Sequence, residues 1–235
     1  MDLEQRKVWN EKHKELTAMI GKSNEHQGAV ELFLIQHGIL YSSQMGNMDR
    51  ATYEDELLEG IEEVTFRRCP VPCTDTKNSI AWHLWHIARV EDITMNILVA
   101  GSEQVLYSDN WLQKMNTWFT HSGNNMSEAD IASLSSCINI DSLLAYRIAV
   151  GQQTRRIISS LQPGGFNEKV QPGRIKRLFD ENAVTQEAKW LADYWSNKSI
   201  AGLVLMPATR HNFLHMNKCI RIKHKIQKDM KQSLL

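Results

Sequence analysis

The sequence predicts an all-α fold: a four-helix bundle with additional short helices in the connections. Two observations carry this. Apolar residues recur at helical spacing in nearly every apolar stretch, and no segment alternates convincingly at period two over five or more residues. A third bears on organisation: 235 residues without internal repeats are enough for one large core, so a single domain over 1–235 is expected.

Residues 2–20 set Leu3, Val8, Trp9, Leu16 and Ile20 among charges, and Gly21 ends the pattern. This makes residues 1–24 an N-terminal extension helix. Val30, Leu32, Phe33, Ile35, Ile39 and Leu40 mark a second helix over 25–43. A polar stretch over 42–52 follows, then one short helix in EDELLEGIEEVTF. The prolines, threonines and asparagine of CPVPCTDTKNS predict a loop, with Asn78 or Ser79 as cap for a long helix running to about Ala100 and stopped by Gly101.

Trp111, Met115, Trp118 and Phe119 predict a short aromatic helix within 107–121, and Ser127 with Glu128 and Asp130 opens another. A long helix is expected from Asp141 to Leu161, ended by Gln162-Pro163-Gly164-Gly165. Residues 163–198 form an insert before the last helix, with small helices over Pro172–Asp180 and around Trp190 to Trp195. The last helix runs from about Ile200 to Lys228, and Pro207 either kinks it or marks its true first turn.

Bulk properties exclude several function classes. Lys plus Arg and Asp plus Glu are 27 each, which argues against general nucleic-acid binding. The basic group Arg221, Lys223, Lys225, Lys228 and Lys231 reads as a favourable helix C-terminal end. The first twenty residues are charged throughout and no apolar run reaches bilayer length, so a cytoplasmic protein without a membrane partner is expected. Cys69, Cys73, Cys137 and Cys219 then read as thiols. Pro70 and Pro72 exclude a helical ligand pair at Cys69 and Cys73, and two further zinc ligands are lacking there.

The chemistry lies in the histidines. His211 and His215 are four apart, one turn along one helical face, a common way to offer two imidazoles to one divalent metal. A third from another helix would complete an open site that leaves room for water or substrate. The long helix before Gly101 carries His83 and His86, which differ by only about 60° at roughly 100° per residue, so helix faces alone do not choose between them. Three neutral imidazoles suit zinc, nickel, iron or copper, and spacing does not choose among them. Glu91, Asp92 and Asn212 are the sequence neighbours placed to orient these ligands.

NSIAWHLWHIARVED and RHNFLHMN resemble the DinB-like superfamily of bacterial four-helix-bundle proteins, over about residues 25–228. In that family one helix supplies a histidine from a W-x-x-x-H-I pattern, matched by Trp82, His86 and Ile87, and the C-terminal helix supplies a His-x-x-x-His pair, matched by His211 and His215. The resemblance implies His86, His211 and His215 as metal ligands, with His83 outside the triad. Met216-Asn217-Lys218 stands where many members have Arg-Gly-Gln. The family includes bacillithiol-type S-transferases and a mycothiol-dependent isomerase, which makes a metal-dependent transferase, activating a low-molecular-weight thiol or a water, the expected function. Its partners would be a small-molecule thiol or an electrophile. The alternatives are a non-catalytic metal- or ligand-binding protein of a stress response and a helical interaction module, for which a homodimer is expected.

Overall fold

The computed structural model describes residues 2–46 and 51–232. Among these the secondary structure is helical without β-strands, and the bridge Lys169–Ser199 is antiparallel. Helix α1 spans Leu3–Met19 and opens on a capping box in which Asp2 accepts from the Gln5 amide. It pairs with α2, His26–Gly38. The expected single helix at 54–66 is two, Tyr53–Leu58 and Glu63–Arg67, because Gly60 turns the chain at φ +59°. Residues 47–50 of the polar stretch lie outside the described residues.

Helix α3, Ile80–Asp92, is the axis of the molecule. Ser79 caps it by accepting from the Trp82 amide at 2.9 Å. It continues as wider π-helical turns over Ile93–Ala100 and ends at Gly101, whose φ of +72° suits a residue without Cβ. Every residue from Ile80 to Val99 is buried. A helix buried on all sides needs neighbours all round: α4 (Ile140–Ser160) and the C-terminal helix pack along it, and α4 also packs on its π-helical continuation.

Its two buried carboxylates are paired, as burial requires. The Asp92 carboxylate accepts from the Val105 amide at 2.8 Å, the Leu106 amide at 3.0 Å, Tyr146 at 2.6 Å and Arg89 at 2.8 Å. Glu91 accepts from His37 at 2.8 Å, from Tyr41 at 2.7 Å and from Asn212, so one carboxylate joins α2, α3 and the C-terminal helix.

The insert contributes α5, Pro172–Asp180, and α6, Lys189–Ser196, close to the expected positions. Arg174 donates to the Leu98 and Val99 carbonyls at 3.0 and 2.6 Å, covering acceptors left open at the end of the central helix. The aromatic segment 107–121 is less helical than expected, keeping only Trp111–Lys114 and a 3₁₀ turn at Val105–Tyr107. Asn110 and Asn116, at φ +57° and +52°, bound the short helix on both sides.

The C-terminal segment is α7 (Ile200–Leu205), π-helical turns over Met206–His211, and α8 (Asn212–Gln232). Pro207 brings no amide to the helical ladder. The local gap is filled by Thr209 Oγ1, which donates to the Val204 and Leu205 carbonyls at 3.0 and 2.8 Å, and by His13 Nε2 on the Leu205 carbonyl at 3.0 Å. The expected Pro207 kink is thus a widened turn, and it ends on His211. Three of the basic C-terminal residues have partners: Arg221 pairs with Asp75, Lys225 with Asp229, and Lys223 donates to the Glu56 carbonyl at 2.9 Å.

Candidate metal centre

His86, His211 and His215 converge. Each offers one ring nitrogen, and these atoms all lie within 4.8 Å of one another, a spacing that can hold one metal ion. The ring centroids are 5.0 Å apart for His86–His211, 5.0 Å for His86–His215 and 4.4 Å for His211–His215. His86 is buried, while His211 and His215 keep partial exposure.

The orientation of each ring has a traceable cause. Nδ1 of His86 donates to the Ser122 carbonyl at 2.6 Å, which fixes the tautomer and leaves Nε2 free. Trp82 stacks on the same ring at 4.5 Å and 11°. Ser122 is itself held by its amide bond to the Ala183 carbonyl at 2.9 Å, so the insert props the loop that props the histidine. Nδ1 of His215 meets Nδ1 of His83 at 2.9 Å, and Nε2 of His83 meets Thr76 Oγ1 at 3.2 Å. His83 therefore contacts His215 through Nδ1. Nδ1 of His211 is buried and has no hydrogen-bonding partner among the described residues.

Burial holds all four imidazoles neutral. It pushes His86 down to about 4, and His83, with His86 beside it, down to about 3. His211 and His215 lie well below the ordinary value through burial and the mutual repulsion of the cluster. Neutral imidazole is the metal-binding form.

The neighbours expected to orient the ligands do not do so. Glu91 and Asn212 bond to each other, and Asp92 serves Arg89, Tyr146 and two amides. Their place is taken by the Ser122 carbonyl and by His83. A backbone carbonyl leaves no trace in residue identity; the only sign was the turn-forming run His121-Ser122-Gly123-Asn124. Cys69 and Cys73 stay apart from the centre as free thiols, and burial pushes both up, away from the reactive thiolate.

A cavity of about 220 Å³ opens beside His211 between α6 and the Met206–Pro207 turn. No helix of the described residues is long and apolar enough to cross a membrane.

No curated protein matches the chain at a significant level. The family model described as the DinB superfamily matches residues 50–193, which takes in His86, Ser122 and most of the insert and ends before His211 and His215. With more than half of its length matched and an all-helical fold built around the helix that bears His86, the chain belongs to the DinB superfamily.

Proposed function

We propose that His86, His211 and His215 hold one divalent transition metal, zinc or nickel before iron or copper, and that the protein is a metal-dependent transferase acting on a low-molecular-weight thiol or a water. The observation that carries this is the convergence of three neutral imidazoles within 4.8 Å with no carboxylate in the set. An all-imidazole donor set suits a borderline transition metal rather than magnesium or calcium. The unpartnered Nδ1 of His211 fits the same reading, since buried polar nitrogens are rarely left unsatisfied.

When bound, such an ion supplies the positive charge that lowers the pKa of a coordinated thiol or water. The chain's own residues prepare the place. Ser122 takes the Nδ1 proton of His86 in a hydrogen bond and so presents Nε2. With Nε2 of His215 as the ligating atom, its Nδ1 would keep the proton and donate to His83, whose Nε2–H would donate to Thr76. Three protein ligands leave a coordination position for substrate.

A second reading, metal or ligand binding without turnover, is favoured by one observation. The cavity beside His211 is lined by no Asp, Glu, Lys or Arg that could act as a general acid or base. Turnover separates the two. Metal-loaded protein incubated with a panel of low-molecular-weight thiols and electrophiles is expected to form conjugates, and to lose this activity in His211→Ala. Absence of turnover across the panel with one equivalent of metal bound would overturn the transferase reading and leave the binding one.

A further inference from the structure

The cavity beside His211 has a distinct character. Its walls are Trp190, Leu191, Tyr194 and Trp195 of α6 with Met206 and Pro207, closed by Val90 from the central helix. Asn124, Trp190, Tyr194, Trp195 and His211 are the lining residues whose side chains carry a nitrogen or oxygen, and no lining residue bears a formal charge at neutral pH. The Lys198 ammonium lies over the Tyr194 ring, 4.2 Å from its centroid, and is not among the lining groups.

We infer that this cavity seats an uncharged, single-ring aromatic group of the substrate, with His211 at its inner wall. Three arguments converge. At about 220 Å³ it exceeds the roughly 150 Å³ that suffices to hold benzene in an apolar cavity. Its aromatic walls offer stacking and edge contacts to a flat ring. A carboxylate or ammonium brought inside would lose hydration without meeting an opposite charge on any lining residue, and the metal-free cavity rejects it on that ground. Trp190 is 52% exposed and Tyr194 40%, so both are large apolar surfaces left open at the site, of the kind that ligand-binding clefts present. Four of the wall residues, Trp190, Leu191, Tyr194 and Trp195, belong to helix α6. That the ring belongs to a substrate rests on the metal-centre reading; that the cavity selects a neutral ring does not.

The test uses the full chain and three probes of one ring: benzyl alcohol, benzoate and benzylammonium. Affinities are measured by calorimetry in chelator-treated protein, where no ion can attract the carboxylate, and metal content is measured separately on reloaded samples. Benzyl alcohol is expected to bind about tenfold or more tightly than either charged probe. Trp190→Ala and Tyr194→Ala are each expected to weaken it about tenfold or more, Trp190→Phe to restore most of it, and none of the three to change metal content. Equal binding of the three probes, no binding of benzyl alcohol, or unaltered binding in both alanine variants overturns the inference. Metal uptake without ring binding would overturn the ring seat alone, whereas ring binding without metal uptake would overturn the metal centre alone.

Discussion

Replacing Gly123 by alanine tests how the loop behind His86 is built. Gly123 sits at φ +85°, and a Cβ placed there would lie 2.5 Å from Trp85 Cζ3, 3.2 Å from its Cη2 and 3.3 Å from His86 Nδ1. Trp85 is fully buried and its ring packs edge-on against Phe119, so it cannot swing aside. Left-handed backbone costs an L-residue about 1–2 kcal/mol, and forcing a methyl into a packed interior about 1–3 kcal/mol. The sum is about 3 kcal/mol, which in a chain of this size lowers Tm by roughly 6–12 °C. Gly60→Ala is the control: its φ is +59° but nothing lies within 4 Å of the added Cβ, so it should show the backbone cost alone. The loop can relieve the clash only by moving, and it carries the Ser122 carbonyl that fixes His86. Metal affinity should therefore fall about 10- to 100-fold, the usual effect of losing a partner that orients a ligand. Thermal or denaturant unfolding of both variants, with a metal titration of each, checks this. A Gly123→Ala protein no less stable than Gly60→Ala would refute the packing argument, and unchanged metal affinity in a destabilised variant would refute the role given to Ser122.

Further outcomes are expected elsewhere. His83→Ala should keep one equivalent of metal but bind it about tenfold or more loosely, because His215 loses the group behind its Nδ1; competition with a chelator of known affinity measures this. Glu54→Ala should cost about 3–5 kcal/mol in urea unfolding, since it strands the fully buried Arg147 guanidinium that now meets Glu54 Oε2 at 2.7 Å. Glu91 is pushed up by burial, but His37, Tyr41 and Thr154 more than offset this and hold its carboxyl below the ordinary 4.5. The unfolded chain then binds the proton more readily, so the stabilisation is complete above pH 4.5 and drains away as pH falls from there through the folded value. Glu91→Gln should be less stable at neutral pH and lack that part of the acid limb, while the four clustered histidines His83, His86, His211 and His215, common to both proteins, cancel from the comparison; identical acid limbs would contradict the assignment.

Much of the fold could be read from residue identity because helix punctuation is local. Ser79 and Ser127 cap the backbone a few residues on, Gly101 and Pro172 set their own dihedrals, and each stands where expected. Gly60 splitting 54–66 was not visible, because a glycine in a polar helical pattern is ordinary until its φ is known. The widening of the helix before His211 escaped as well. Pro207 signalled a disturbance, but its form depends on Thr209 and on His13, which comes from 192 residues away. At the histidine cluster the four-residue spacing of His211 and His215 and the helix of His86 were legible. The choice of orienting groups was not, because Glu91, Asp92 and Asn212 are nearer in sequence yet satisfied elsewhere.

The central claim is that three histidines from two distant helices share one ion. Elemental analysis of the protein purified without added metal, beside the His211→Ala, His215→Ala double variant, tests it most directly. About one equivalent of zinc, nickel or another transition metal in the wild type, absent from a variant that retains its helical content, is the expected result, since a single remaining imidazole does not hold a divalent ion. No metal in either protein, and no uptake by the wild type on titration, would contradict the account and leave the three imidazoles as core residues of a helical bundle.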